Sequence, residues 1–185
     1  MGDSSAAGVG VDSQNEALSG QLVSALSSHF QVSWQLEAKT GDTTKAALQR
    51  LKQIPEEQYD AVVQALGVND VTSGITSSLW MLRQRQLHQL CRDRFHPRRI
   101  YLSGLPPMRH FPLLSWQMRL VLGGEAERFD RLLQNYAATT SDLMHIAFDQ
   151  PLEPAMMAPD GFHPGAEVYR LWAEALAAQI RNDFA

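Results

Sequence analysis

Short apolar runs alternate with longer stretches of helical periodicity along this chain, and that alternation constrains its fold more than any other feature. Residues 30–37 (FQVSWQLE) alternate as a strand does, and 59–66 (YDAVVQAL) form a brief apolar run of the kind a buried parallel strand shows. Two more strands read from 99–103 (RIYLS) and 142–148 (DLMHIAF). Helical patterns separate them. They fall at 16–28, from a Thr43 or Thr44 N-cap through Leu51, at about 75–95, at 116–138, and at 164–180. Gly123-Gly124 predicts an interruption in the fourth of these, and Pro164 suits the first turn of the last. Strand-helix alternation of this kind predicts an α/β fold with a parallel sheet and helices on both faces. No repeat, charge block or low-complexity linker divides the 185 residues, so a single domain spanning 1–185 is expected.

Composition excludes several classes of function. The chain is 44% hydrophobic and 19% charged, the balance of an ordinary globular domain rather than a disordered or fibrous one. Its net charge of −4 argues against a nucleic-acid surface, which needs clustered excess cation. The densest basic stretch, 83–99, reads as the solvated side of a helix and its exit loop. A lone Cys91 permits no intramolecular disulfide and leans toward a reducing compartment. No apolar run reaches the roughly 18 residues of a membrane span, and no secretory leader precedes the first helix, so the default location is cytoplasmic.

In an open parallel sheet, functional groups gather in the loops that follow the carboxyl ends of the strands. Four such loops stand out. Gly2-Asp3-Ser4-Ser5 is a tight turn ahead of a helix, where a serine can expose its hydroxyl and present its own amide to an oxyanion. Gly41 follows the first strand-like run and could offer an unshielded amide. Gly67-Val68-Asn69-Asp70 puts a carboxamide at the mouth of the second, with Asp70 read as a local loop-fixing or helix-capping residue. Asp160-Gly161-Phe162-His163 puts a carboxylate three residues before a histidine, with a glycine between them that lets the loop fold back. A general base needs that kind of orienting carboxylate.

Each loop alone has a plain structural reading. Together, in this order and at these junctions, they resemble the four blocks of the GDSL (SGNH) hydrolases, over nearly the whole chain from Gly2 to about residue 180. The resemblance implies a three-layer α/β/α sandwich of flavodoxin-like type, with a five-stranded parallel sheet. It implies Ser4 as nucleophile, His163 as general base and Asp160 as its orienting partner. The Ser4 amide, the Gly41 amide and the Asn69 side chain would form the oxyanion hole. No metal and no cofactor is implied. The expected reaction is hydrolysis of a small-molecule carboxylic ester through an acyl-enzyme, on small or medium acyl esters, thioesters or lysophospholipids. A carbohydrate O-deacetylase is the alternative within the same chemistry, and a catalytically silent binding domain of the same fold is the alternative outside it.

One departure from the family pattern stands at the N-terminus. The Gly-Asp-Ser turn of the family follows an apolar strand, and here only Met1 precedes Gly2. The expectation is therefore that the first strand is missing from this chain by N-terminal truncation, with Met1 as its last residue. Its absence would leave two neighbouring strands about 9–10 Å apart, twice the ladder spacing, with unpaired backbone groups on both. His29, His88, His96, His110 and His145 show no ligand spacing with one another or with Cys91. Trp34, Trp80, Trp116 and Trp172 read as core. Met156 and Met157 flank the catalytic face and could line an acyl pocket, although plain core packing is the favoured reading.

Overall fold

The computed structural model describes residues 1–149 and 152–185. Three parallel strands, β1 (Ala61–Gln64), β2 (Arg99–Ser103) and β3 (Leu143–Ile146), form one sheet in the order β1-β2-β3. Among the described residues seven α-helices accompany them: α1 (Ser4–Ala7), α2 (Leu18–Leu26), α3 (Thr44–Leu51), α4 (Val68–Thr72), α5 (Ser77–Phe95), α6 (Trp116–Ala138) and α7 (Ala166–Phe184). Each strand hands over to a helix before the next begins, which is the crossover that parallel pairing requires. The chain is thus an α/β protein with a parallel sheet, as its alternating pattern predicts.

β2 shows why the middle strand reads as apolar throughout. Ile100, Tyr101 and Leu102 are fully buried, because helices cover both of its faces. On one face α2 packs against α7, and on the other α3 meets α5 and α5 meets α6. Trp80 of α5 stacks on Phe129 of α6 with ring centroids 4.4 Å apart, and Tyr169 lies parallel to Trp172 within α7. Trp80 and Trp172 are therefore core, as expected, but Trp34 and Trp116 are 47% and 69% exposed. Trp116 opens α6, whose buried residues begin only at Gly123, so its first turns project from the body of the protein.

Three other expectations are corrected. α6 runs unbroken through Gly123-Gly124, because the missing side chain is used for close packing. A Cβ on Gly123 would sit 2.2 Å from Cγ of Arg109. α7 begins at Ala166 behind Gly165, so Pro164 lies ahead of the helix and bridges to Met157 instead of filling its first turn. The segment 30–37 forms no strand despite its alternation. It touches the sheet only at its end, where Gly2 makes single parallel bridges to Ala38 and to Ala65.

Those bridges are well formed. The Gly2 amide donates to Glu37 O at 2.9 Å, Lys39 N to Gly2 O at 3.2 Å, Ala65 N to Met1 O at 3.0 Å and Asp3 N to Ala65 O at 3.2 Å. Met1–Asp3 thus sits between the 37–39 segment and the end of β1, the position the pattern assigns to the end of a first strand. Beyond Met1 the two walls part around a groove of about 620 Å³, lined by Leu22, Leu26, Val32, Leu36, Val63 and Ile180. A strand needs a partner about 4.8 Å away along its length, and over the groove 31–36 has none. Among the described residues, no helix is long and apolar enough to cross a membrane.

Candidate active site

Ser4 is the first residue of α1 and is held there by its neighbour. Asp3 caps the helix, with Oδ1 accepting from the Ser5 amide at 3.0 Å, and the chain reverses through Gly8 behind it. Ser4 itself is buried, as is Asp3. Burial pushes the Asp3 carboxyl up to about 6, against the opposing pull of the Ser5 amide and of His163.

From the far end of the chain, 159 residues away, His163 reaches Ser4. Its Nε2 lies 2.9 Å from Ser4 Oγ, and its Nδ1 lies 2.6 Å from Asp160 Oδ2. The loop that supplies both residues is self-bracing. Asp160 Oδ1 accepts from the amides of Phe162 and His163, each at 2.9 Å, and Gly161 turns the chain at a φ of +66°. Outside it, Ala158 N donates to His163 O at 2.9 Å, and Leu113 N to Gly161 O at 3.0 Å. Partial burial raises the Asp160 carboxyl, but the bonds from the His163 amide and ring and from the Phe162 amide outweigh it and hold the group at about 2. Asp160 is therefore an anion throughout the neutral range, placed to keep a proton on Nδ1 and leave the Nε2 lone pair for the Ser4 hydroxyl.

Asn69 approaches from the other side. It lies in α4, and its Nδ2 donates to Asp42 O at 3.0 Å and to Asp3 Oδ2 at 3.3 Å. The carboxamide thus links the neighbour of Ser4 to the neighbour of Gly41. Gly41 is exposed, in a turn closed by the Asp42 amide on Lys39 O at 3.1 Å, and its φ of +82° is one that glycine adopts without strain. Asp70, read as a local loop-fixing or helix-capping residue, does not brace its own loop but takes the first amide of a distant helix, α3. It is fully buried, and its Oδ2 accepts from the amide and the hydroxyl of Thr44, both at 2.8 Å, across 26 residues.

The structure therefore brings Ser4, His163 and Asp160 into one hydrogen-bonded line, with Asn69 one residue removed on each flank. It also reveals participants with no local signal in the sequence. Asp3 and Asp42 orient Asn69, and Arg50 of α3 clamps Asp42 Oδ2 at 2.7 Å while reaching Glu37 at 3.2 Å. These contacts join residues far apart in the chain, so no spacing rule finds them.

A narrow recess of about 40 Å³ opens beside the serine, bordered by Asp3 and Ser5 on one side and by Phe162 and Pro164, which flank His163, on the other. Leu105, Phe111, Phe148 and Met157 make its walls apolar, and Ser103 and Trp172, joined at 2.6 Å, also border it. Met157 thus lines the recess as well as packing in the core, while Met156 is not among the lining residues. The other histidines lie apart from it. His88 is buried and stacked on Tyr136, His145 pairs with Asp130 at 2.8 Å, and His110 is exposed. Among the described residues no group of three or more His, Cys, Asp or Glu is placed to hold a metal ion.

A parallel α/β sheet with a serine, a histidine and a carboxylate hydrogen-bonded in sequence at its carboxyl end defines a hydrolase-like α/β protein. The family model for GDSL-like lipases and acylhydrolases matches residues 1–171, and the chain belongs to that family. No curated protein matches it. Solved structures share its fold at low identity. A lipolytic protein of the G-D-S-L family from Veillonella parvula is 16% identical, with a TM-score of 0.75, over 98% of this chain and 95% of its own. The carbohydrate acetylesterase Est24 from Sinorhizobium meliloti is 17% identical, with a TM-score of 0.74, over 98% and 96%. The psychrotrophic esterase EstA from a Pseudoalteromonas species is 18% identical, with a TM-score of 0.68, over 100% and 96%.

Proposed function

We propose that this protein is a serine esterase that cleaves short-chain carboxylic esters through an acyl-enzyme. The observation that carries this reading is the continuous line from Ser4 Oγ through the His163 ring to Asp160, at 2.9 and 2.6 Å. As Ser4 Oγ attacks the ester carbonyl, His163 Nε2 takes the hydroxyl proton, and Asp160 stabilises the imidazolium through Nδ1–H. The tetrahedral intermediate collapses, and the proton on Nε2 passes to the departing alcohol, leaving the acyl group on Ser4. Water then attacks with its proton going to Nε2, and the acid leaves as Ser4 Oγ is reprotonated. The carbonyl oxygen carries the negative charge in both steps. The amides of Ser4 and Gly41 are assigned to stabilise it, together with the Asn69 carboxamide, whose Nδ2 would turn its longer bond, 3.3 Å to Asp3 Oδ2, over to the oxyanion.

The recess supports a short acyl group. The recess is narrow beside the serine, and its apolar walls suit a short acyl group. The same recess would take the acetyl group of an O-acetylated sugar, so a deacetylase differs only in the alcohol side of the substrate. The test is a panel of p-nitrophenyl esters from acetate to palmitate, with acetylated sugars beside it, on the protein and on Ser4→Ala. Rates highest at acetate or propionate and abolished in Ser4→Ala are expected. Undiminished hydrolysis in the alanine variant would refute the nucleophile, and no hydrolysis of any ester by the unaltered protein would favour the binding-domain reading.

A further inference from the structure

Beneath the sheet runs a chain of five buried polar side chains from four different elements: His88, Gln64, Gln84, Thr44 and Asp70. His88 Nε2 meets Gln64 Oε1 at 2.9 Å, and Gln64 Nε2 meets Gln84 Oε1 at 2.9 Å. Gln84 Nε2 then donates to Thr44 Oγ1 at 3.0 Å, and Thr44 Oγ1 donates to Asp70 Oδ2 at 2.8 Å. Every bond points the same way. Burial pulls the His88 ring down to about 3, so it is neutral, and its acceptor Gln64 Oε1 fixes the proton on Nε2. Each amide that donates onward must accept behind. At the end of the chain the Thr44 hydroxyl, already accepting from Gln84, is left with its proton aimed at the Asp70 carboxylate.

The carboxylate that collects this chain adjoins the oxyanion side of the site. Asp70 follows Asn69 directly, and the Thr44 amide it accepts opens α3, directly after Gly41-Asp42-Thr43. One buried group thereby fixes the distance between the turn that carries Gly41 and the helix that carries Asn69. The second tie between them is the bond from Asn69 Nδ2 to Asp42 O. With Asp70 released, that bond alone would hold two donors that belong to separate elements.

Resting on the esterase reading above, we propose that Asp70, held by the amide and the hydroxyl of Thr44, is a positioning residue that sets the spacing between the Gly41 amide and the Asn69 carboxamide. It touches no substrate and acts through those two donors. A misplacement of such donors by a fraction of an ångström to about 1 Å costs rate and not substrate affinity.

The experiment measures p-nitrophenyl acetate hydrolysis by Asp70→Ala, which removes the acceptor of both Thr44 bonds, by Asn69→Ala and by the double variant, each with a thermal melt. Asp70→Ala is expected to lower kcat roughly ten- to a hundredfold with KM within about threefold. In the Asn69→Ala background the same change is expected to cost less than about threefold, since the donor it positions is gone. Thr44→Val, which keeps the amide and loses the hydroxyl, should show the same pattern in smaller degree and covers the case in which Asp70→Ala does not fold. His88→Leu should lower the melting temperature while kcat stays within about twofold, because its bond ends three side chains from Asp70. Equal losses with and without Asn69, or full kcat in a folded Asp70→Ala or Thr44→Val, would overturn the proposal while leaving the esterase reading intact. Loss of hydrolysis in the unaltered protein would instead remove that reading itself.

Discussion

Two loops meet at Ser4, and they are built on opposite principles. The loop of Asp160 and His163 is local and partly open to solvent: its carboxylate is 46% exposed and bonds to two amides and a ring within three residues. The corner of Gly41, Asn69 and Asp70 is long-range, its anchor fully buried and its bonds spanning 26 and 27 residues. A local loop can be correct before the rest of the protein folds. The corner exists only when α3, α4 and α5 are packed together. His163 is thus placed by a few covalently close residues, while Gly41 and Asn69 are placed by the whole helical layer. Changes on the two sides should fail differently: on the base side activity is lost while folding is kept, and on the corner side both move together.

His163→Ala is the strongest way to break this division. It is expected to lower kcat/KM on p-nitrophenyl acetate by on the order of 10⁴-fold or more with little change in the thermal melt, and a large loss of stability would contradict a self-bracing loop. Asn69→Ala comes next. A fall in kcat of roughly a hundred- to a thousandfold is expected, with partial loss of stability as Asp3 and Asp42 lose their shared donor, and kinetics with a melt would check both. If kcat holds in the folded variant, Asn69 is a structural strut only.

Asp3 offers a sharper test, because it sits where the two sides join. Its folded pKa of about 6 stands above the ordinary 3.8, so the native state holds this proton more tightly than the unfolded chain does. The stability this contributes is full below about pH 4 and is lost as pH rises through 6. The whole effect is worth about 3 kcal/mol. Asp3→Asn keeps the acceptor for the Ser5 amide and should flatten the pH dependence of denaturant-unfolding stability between pH 4 and 6. An unchanged slope would mean that another group titrates there. The smallest effect is expected at Thr43, whose hydroxyl caps α3 by accepting from Ala46 N at 3.3 Å but makes no tie to α4. Thr43→Ala should cost about 1 kcal/mol in denaturant unfolding and leave kcat within about twofold. A tenfold loss of kcat would show that the cap, and not Asp70, holds the Gly41 turn.

The same contrast explains what could be read in advance. β2, at 99–103, and α5 are legible because their residues are buried by the regular period of a strand and of a helix. Residues 30–37 carry an equally clear alternation and form no ladder, since alternation records which face is apolar and not whether a partner lies alongside. Gly123 looked like a helix break and is a contact, because local propensity cannot register Arg109 against the backbone. Asp160 and His163 are legible as a unit because three residues suffice to bring them together.

The sequence by itself determined the alternating α/β class, the Gly-Asp-Ser turn and the Asp-x-x-His loop, because each rests on periodicity or on contacts within a few residues. Only the tertiary structure decided that His163 stands 2.9 Å from Ser4 across 159 residues. It likewise decided that Asp70 serves Thr44 rather than its own loop, and that Asp3 is a buried carboxyl with a shifted proton. Those facts depend on which helices pack against which strands. Packing is a property of the whole core, to which every buried residue contributes, and no short stretch of the chain carries it.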